Sequence, residues 1–151
     1  MSNKSLSAYC KFLENLTTDD ISRLNAFVRN DIRFRDPFND CVGLKNFEAI
    51  LLDMFKYLAP FKFRVLEHSL IDESDGSNTA FLHWHLQYTL KSRIKEKLEI
   101  EGVSKLSFDS EGKVSEHYDF WDAASNVYEK FPVIGFALKR FKGRISSDTI
   151  Y

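Results

Sequence analysis

Apolar residues recur at helical spacing along the first part of the chain. Leu6, Tyr9, Leu13 and Leu16 share one face and predict a first helix. Thr17 followed by Asp20 fits a capping pattern that opens a second helix, with Ile21, Leu24 and Val28 on one side. Ile32 to Asp36 alternates and predicts a short strand, stopped by Pro37 and an Asn39-Asp40 turn. The stripe Leu44, Phe47, Leu51, Met54, Phe55 and Leu58 marks a third helix and is the best helical signal in the chain. After Pro60 the period changes to two, predicting strands over 61–71, 79–90, 98–108 and 114–121. Asp75 to Asn78 and Asp109 to Gly112 are the turns between them. Residues 122–144 return to helical character. Helices followed by a long antiparallel meander predict an α+β domain, with helices covering one face of a curved sheet.

Composition narrows the picture further. The 151 residues, without repeat or linker, read as one domain with a core over about 6–125 and a basic tail over 123–145. Hydrophobic residues at 44% and charged residues at 28% exclude a disordered chain. A net charge of −1 gives no general attraction to nucleic acid. No apolar run approaches the length of a membrane span, and the charged N-terminus argues against export. Cys10 and Cys41 read as free thiols, and the expected location is cytoplasmic. Fourteen phenylalanines suggest a deep core or an apolar cavity for a small hydrophobic ligand.

Candidate chemistry concentrates on two predicted strands. On 79–90, Leu82, Trp84, Leu86, Tyr88 and Leu90 form an apolar face, opposed by Phe81, His83, His85, Gln87 and Thr89. The polar face either meets solvent or lines a cavity under the helices. In the second case Trp84, Leu86 and Tyr88 meet a partner subunit, so a homodimer is expected. His83 and His85 point the same way, as metal ligands do, but the Glu that cupin barrels place shortly afterwards is missing. No metal and no cofactor are expected. On 114–121, Ser115, His117, Asp119 and Trp121 share a side and resemble a pocket wall with an acid/base group beside an aromatic surface. Asp36, held between a strand end and Pro37, is a second candidate carboxylate. Burial among aromatic rings favours the neutral, proton-donating form of an acid; the plainer alternatives are a turn cap for Asp36 and an arginine partner for Asp119. The basic tail (Lys130, Lys139, Arg140, Lys142, Arg144) carries Phe131, Ile134, Leu138 and Phe141 on a helical face. It reads as a closing helix in preference to a membrane-surface helix.

The order of elements, together with Phe34-Arg35-Asp36-Pro37-Phe38, Gly43, the segment from Phe108 to Val114 and the segment from Glu116 to Asp122, resembles the SnoaL-like branch of the nuclear transport factor 2-like superfamily. The resemblance implies a cone of curved antiparallel sheet closed by helices. Ketosteroid isomerases of that superfamily use the Asp of an Asp-Pro pair as base, which matches Asp36. Their oxyanion-hole positions fall here on Phe12 and Ser104, so steroid isomerisation is not expected. SnoaL-like cyclases use a strand acid that corresponds to Asp119. The resemblance thus implies a small-molecule-binding protein or cofactor-independent enzyme acting on a hydrophobic substrate by proton transfer, cyclisation or ring opening. Asp119, Asp36 and His117 would carry the chemistry, and Phe12, Phe55, His83, His85, Ser104 and Trp121 would line the pocket. The alternative is a non-catalytic dimeric interaction module whose tail contacts a membrane or a protein.

Overall fold

Helix α1 (Asn3–Glu14) forms where Leu6, Tyr9, Cys10 and Leu13 repeat every three or four residues, and it buries that stripe. The computed structural model to which it belongs describes residues 3–58, 60–72, 78–89 and 97–128. Thr17 and Asp20 exchange bonds as predicted: the Thr17 hydroxyl donates to the Asp20 carboxylate at 2.6 Å, and Asp20 N–H donates back at 3.4 Å. The helix they open is a 3-10 helix, Asp19–Ala26, in which Ile21 and Leu24 lie three apart on the buried side. It ends sooner than its apolar spacing predicts, because Val28 already belongs to a strand.

That strand, β1 (Val28–Arg35), points Val28, Ile32 and Phe34 inward. It turns through Asp36 to Asn39 into the short β2 (Asp40–Val42). Helix α2 (Leu44–Leu58) follows, with Phe47 and Leu51 fully in the core. The remaining strands are β3 (Phe61–Asp72), β4 (Asn78–Thr89), β5 (Lys97–Phe108) and β6 (Val114–Trp121). The β5–β6 turn is the predicted one. Gly112 adopts φ +82°, and the Asp109 carboxylate accepts the N–H groups of Glu111 and Lys113.

The six strands form one sheet in the order β2-β1-β6-β5-β4-β3. Neighbours are antiparallel except β1 and β6, which run parallel with Phe34 opposite His117. The sheet is therefore mixed rather than wholly antiparallel. The first strand enters at the far side of the last one, after nearly the whole chain has intervened, so no hairpin constrains its direction.

One expectation reverses. Trp84, Leu86 and Tyr88, expected to face a partner subunit, are 4%, 9% and 5% exposed within the single chain. They belong to the same buried cluster as Leu6, Leu13 and Phe47 from the helices. His83 and His85 lie on the opposite face, where they pair with Glu101 (2.6 Å) and Glu99 (3.5 Å) across the strands. Alternation fixes which residues share a face but not which face the helices cover. Burying three large apolar side chains outweighs burying two histidines and a glutamine.

The chain divides between Trp121 and Asp122 into two units. In the second, α3 (Ala123–Asn126) starts at Asp122, whose carboxylate accepts the Ser125 N–H at 3.0 Å. Most of the predicted tail helix, from residue 129 onward, lies outside the described residues, as does the Asp75–Ser77 part of the first hairpin turn. Among the described residues no helix is long and apolar enough to cross a membrane.

Candidate functional site

The polar groups on the buried side of the sheet are joined in one chain. β6 alternates so that His117 and Asp119 face the helices, while Phe120 between them and Trp121 is 58% exposed on the other side. His117 is 5% exposed and set among the edges of Tyr9, Phe34 and Phe47, with ring centroids 5.8, 5.4 and 5.9 Å away. Its Nδ1 lies 2.9 Å from the Tyr9 hydroxyl, and its Nε2 lies 2.9 Å from Oδ1 of Asp119. On β5, opposite Asp119, the buried Ser104 donates its hydroxyl to that same oxygen. Trp84 on β4 in turn donates its indole N–H to Ser104 Oγ at 2.8 Å. Among the described residues no buried side-chain nitrogen or oxygen lacks a partner, which is what makes a polar network inside an apolar core tolerable.

Gly102 makes the Trp84 arm possible. It sits opposite Trp84 in the β4–β5 register, and a Cβ there would come within 2.5 Å of Cζ2 and 2.6 Å of Cη2 of the indole. The missing side chain is the space in which the ring lies, tilted against Phe63 with centroids 5.5 Å apart. Only a glycine lets the indole reach across β5 to Ser104.

Asp119 is where the buried network meets the outside. Its side chain is 19% exposed and borders a surface cleft of about 260 Å³ with Arg35, Asp36, Pro37, Tyr118, Phe120 and Trp121. The cleft sits where β1 and β6 end side by side, with Arg35 opposite Tyr118. Trp121 is braced by Phe38, edge to face at 5.4 Å. Tyr118 turns its hydroxyl away to Glu116, at 3.2 Å. Burial, and then the nearby Glu116 charge, push its pKa up.

The two candidate carboxylates differ in situation. Asp36 Oδ1 accepts the backbone N–H groups of Phe38 and Asn39, both at 2.7 Å, and the Asn39 amide lies 3.0 Å from each carboxylate oxygen. Asp36 is thus a turn cap that forms one wall of the cleft. Both bonds to Asp119 fall on Oδ1, so Oδ2 accepts no hydrogen bond among the described residues.

Of the expected pocket residues, Trp121 borders the cleft with Asp119 and Asp36, and Ser104 and His117 support Asp119 from behind. Four others are elsewhere. Phe12 is buried beneath α1, stacked on Phe27 at 4.4 Å, and Phe55 packs on Phe61 at 4.7 Å. His83 and His85 are on the other face of the sheet. Where an open hollow above His117 was expected, the rings of Tyr9, Phe34 and Phe47 pack on it, and the cleft borders Asp119 beside it. Among the described residues no three His, Cys, Asp or Glu side chains are grouped to hold a metal ion.

Tyr9, Arg35 and Gly102 were not legible as site residues. Tyr9 stands one turn before Phe12 on the same helical face, and a tyrosine on an otherwise aliphatic buried stripe was the available signal, since its hydroxyl must find a partner. Burial, and then the charge of Asp119, push the Tyr9 pKa well above its ordinary value.

A family model described as "Uncharacterized conserved protein (DUF2358)" matches residues 11–117. The chain has no detectable sequence relative among curated proteins. Solved structures share its fold. An NTF2-like protein of unknown function from an Exiguobacterium species is 12% identical with a TM-score of 0.66, over 78% of this chain and 98% of that one. A SnoaL-like polyketide cyclase from Agrobacterium tumefaciens is 18% identical with a TM-score of 0.61, over 81% and 93%. A protein with a ketosteroid isomerase-like fold from Catenulispora acidiphila, solved in complex with trimethylamine, is 8% identical with a TM-score of 0.66, over 84% and 92%. The fold is therefore the nuclear transport factor 2-like α+β fold.

Proposed function

For a chain that belongs to the DUF2358 family and has this fold, we propose an enzyme of SnoaL-like type that uses Asp119 to move a proton on a small hydrophobic substrate. The observation that carries this reading is the asymmetry of Asp119: one oxygen is anchored by His117 and Ser104, and the side chain borders an open cleft. A carboxylate fixed through Oδ1 presents Oδ2 in one orientation, the requirement for general acid/base catalysis. The substrate lies against Trp121 with a carbonyl toward Arg35. Oδ2 removes a proton from the carbon next to that carbonyl, and the Arg35 guanidinium offsets the developing enolate charge. The proton then returns to carbon or oxygen. The Agrobacterium protein of the same fold is described as a SnoaL-like polyketide cyclase, which supports the reading, since ring closure of a polyketide also proceeds through a carbon activated by a carbonyl. At about 260 Å³ the cleft is at the small end of ligand sites and suits a one- or two-ring molecule.

Deuterium exchange tests this. In D2O, wild-type protein is expected to accelerate exchange of the protons next to the carbonyl of cyclohexanone or 2-tetralone, followed by proton NMR. Asp119→Asn keeps an acceptor for His117 and Ser104 and is expected to lower the enzyme-catalysed rate by roughly 10²–10⁴-fold. Exchange in Asp119→Asn as fast as in wild type, or none in wild type, would contradict the proposal.

A further inference from the structure

Tyr9 contributes a hydroxyl to a place where a phenylalanine would fill the same volume. It is 1% exposed, and its ring packs against His117 and Phe27. An ionised Asp119 can only accept, so the proton between it and His117 sits on Nε2. In the neutral ring that leaves Nδ1 as a lone pair, and the Tyr9 O–H, 2.9 Å away, is its donor. The order of donors is then complete from α1 to the cleft: Tyr9 to His117, His117 to Asp119, Ser104 to Asp119 and Trp84 to Ser104.

The geometry points to Tyr9 as a positioning residue: its hydroxyl holds His117 neutral, with Nε2–H aimed at Oδ1 of Asp119, and so fixes which oxygen of Asp119 faces the cleft. Removing the hydroxyl leaves Nδ1 without a partner in an apolar surround, where it either stays bare or takes up a proton. In the second case His117 becomes an imidazolium ion-paired with Asp119, which weakens Asp119 as a base. Burial keeps Tyr9 itself protonated and able to donate. With Asp119 ionised and His117 neutral, the hydrogen bonds fix the tautomer. Only its consequence for turnover rests on the function proposed above.

Long-range nitrogen–proton NMR on the full ¹⁵N-labelled chain reads both ring nitrogens directly, with the His117 signals identified by their loss in His117→Gln. In wild type Nε2 is expected to be of the protonated, pyrrole type and Nδ1 of the hydrogen-bonded, pyridine type. Tyr9→Phe is expected to move the Nδ1 resonance away from its wild-type position. A protonated Nδ1 in wild type, or an Nδ1 unmoved by Tyr9→Phe, overturns the assignment; if Tyr9→Phe fails to fold, the wild-type spectrum decides. Where wild type catalyses deuterium exchange, Tyr9→Phe should lower kcat by on the order of ten- to a hundredfold with KM unchanged. A lowered affinity with kcat intact would contradict a positioning role. Absence of exchange in wild type counts against the catalytic proposal and leaves the tautomer standing.

Discussion

Gly102→Ala is the perturbation that asks most of the packing around Trp84. The added Cβ would stand 2.5 and 2.6 Å from two indole carbons and 3.0 Å from the carbonyl oxygen of Phe120. Carbon atoms prefer about 3.5–4.0 Å, so the ring or the strand must move by about 1 Å. The indole is buried, packed near Phe63 and tied by its N–H to Ser104, so little can yield at low cost. Overpacking of this kind costs about 1–3 kcal/mol. Losing the Trp84–Ser104 bond adds about 0.5–1.5 kcal/mol, while relief of the glycine's chain entropy returns about 0.5–1 kcal/mol. The net expectation is a loss of about 2–3 kcal/mol, or about 5–10 °C in Tm for a chain of this size. Thermal and urea unfolding followed by circular dichroism measure it. Trp84→Phe, which shortens the offending ring, should abolish most of the Gly102→Ala penalty in the double variant. An unchanged Tm in Gly102→Ala, or an equal penalty in the Trp84→Phe background, refutes the argument.

Three further outcomes follow from the same structure. Ser104→Ala strands the Trp84 N–H and removes one of the two anchors of Asp119; it should cost about 1–3 kcal/mol in urea unfolding and broaden the Trp84 indole signal in NMR spectra. Asp36→Ala removes the acceptor of both backbone N–H groups in the β1–β2 turn, which should cost about 1 kcal/mol and speed amide exchange at Phe38 and Asn39. Burial pushes the Cys10 thiol up from 9.0 to about 11 and Tyr9 well above 10.0. A raised folded pKa means that the folded state holds its proton more tightly, so the Cys10 contribution is present below pH 9 and is lost as pH rises through about 11, while the Tyr9 contribution is lost from pH 10 upward. Cys10→Ala combined with Tyr9→Phe should flatten the alkaline limb of the stability curve; an unchanged limb would contradict the burial of these two groups.

The element order was legible because period-three-to-four and period-two stretches succeed one another cleanly, with Pro37 and Pro60 between them. The acid at Asp119 was legible as a polar residue inside an aromatic strand. Facing was not, because alternation along β4 is the same whether Trp84 or His83 points toward the helices. Gly102 held the missing information: a glycine in mid-strand signals a close approach, but what approaches it depends on the β4–β5 register. Tyr9 and Arg35 escaped for a similar reason. Their partners lie far along the chain: Tyr9 reaches His117 from α1 across the sheet face, and Arg35 comes opposite Tyr118 through the parallel pairing of β1 with β6.

The two tryptophans provide the most direct test of the claim that the working surface is the cleft at Asp119. Trp121 borders that cleft, whereas Trp84 is buried behind Ser104, so their indole N–H signals report on separate places. Titration with 2-tetralone, followed by two-dimensional NMR, should shift the Trp121 signal progressively and leave that of Trp84 nearly still. Shifts confined to the opposite face of the sheet around His83 and Glu101, or a Trp121 signal unmoved at saturating ketone, would contradict the account.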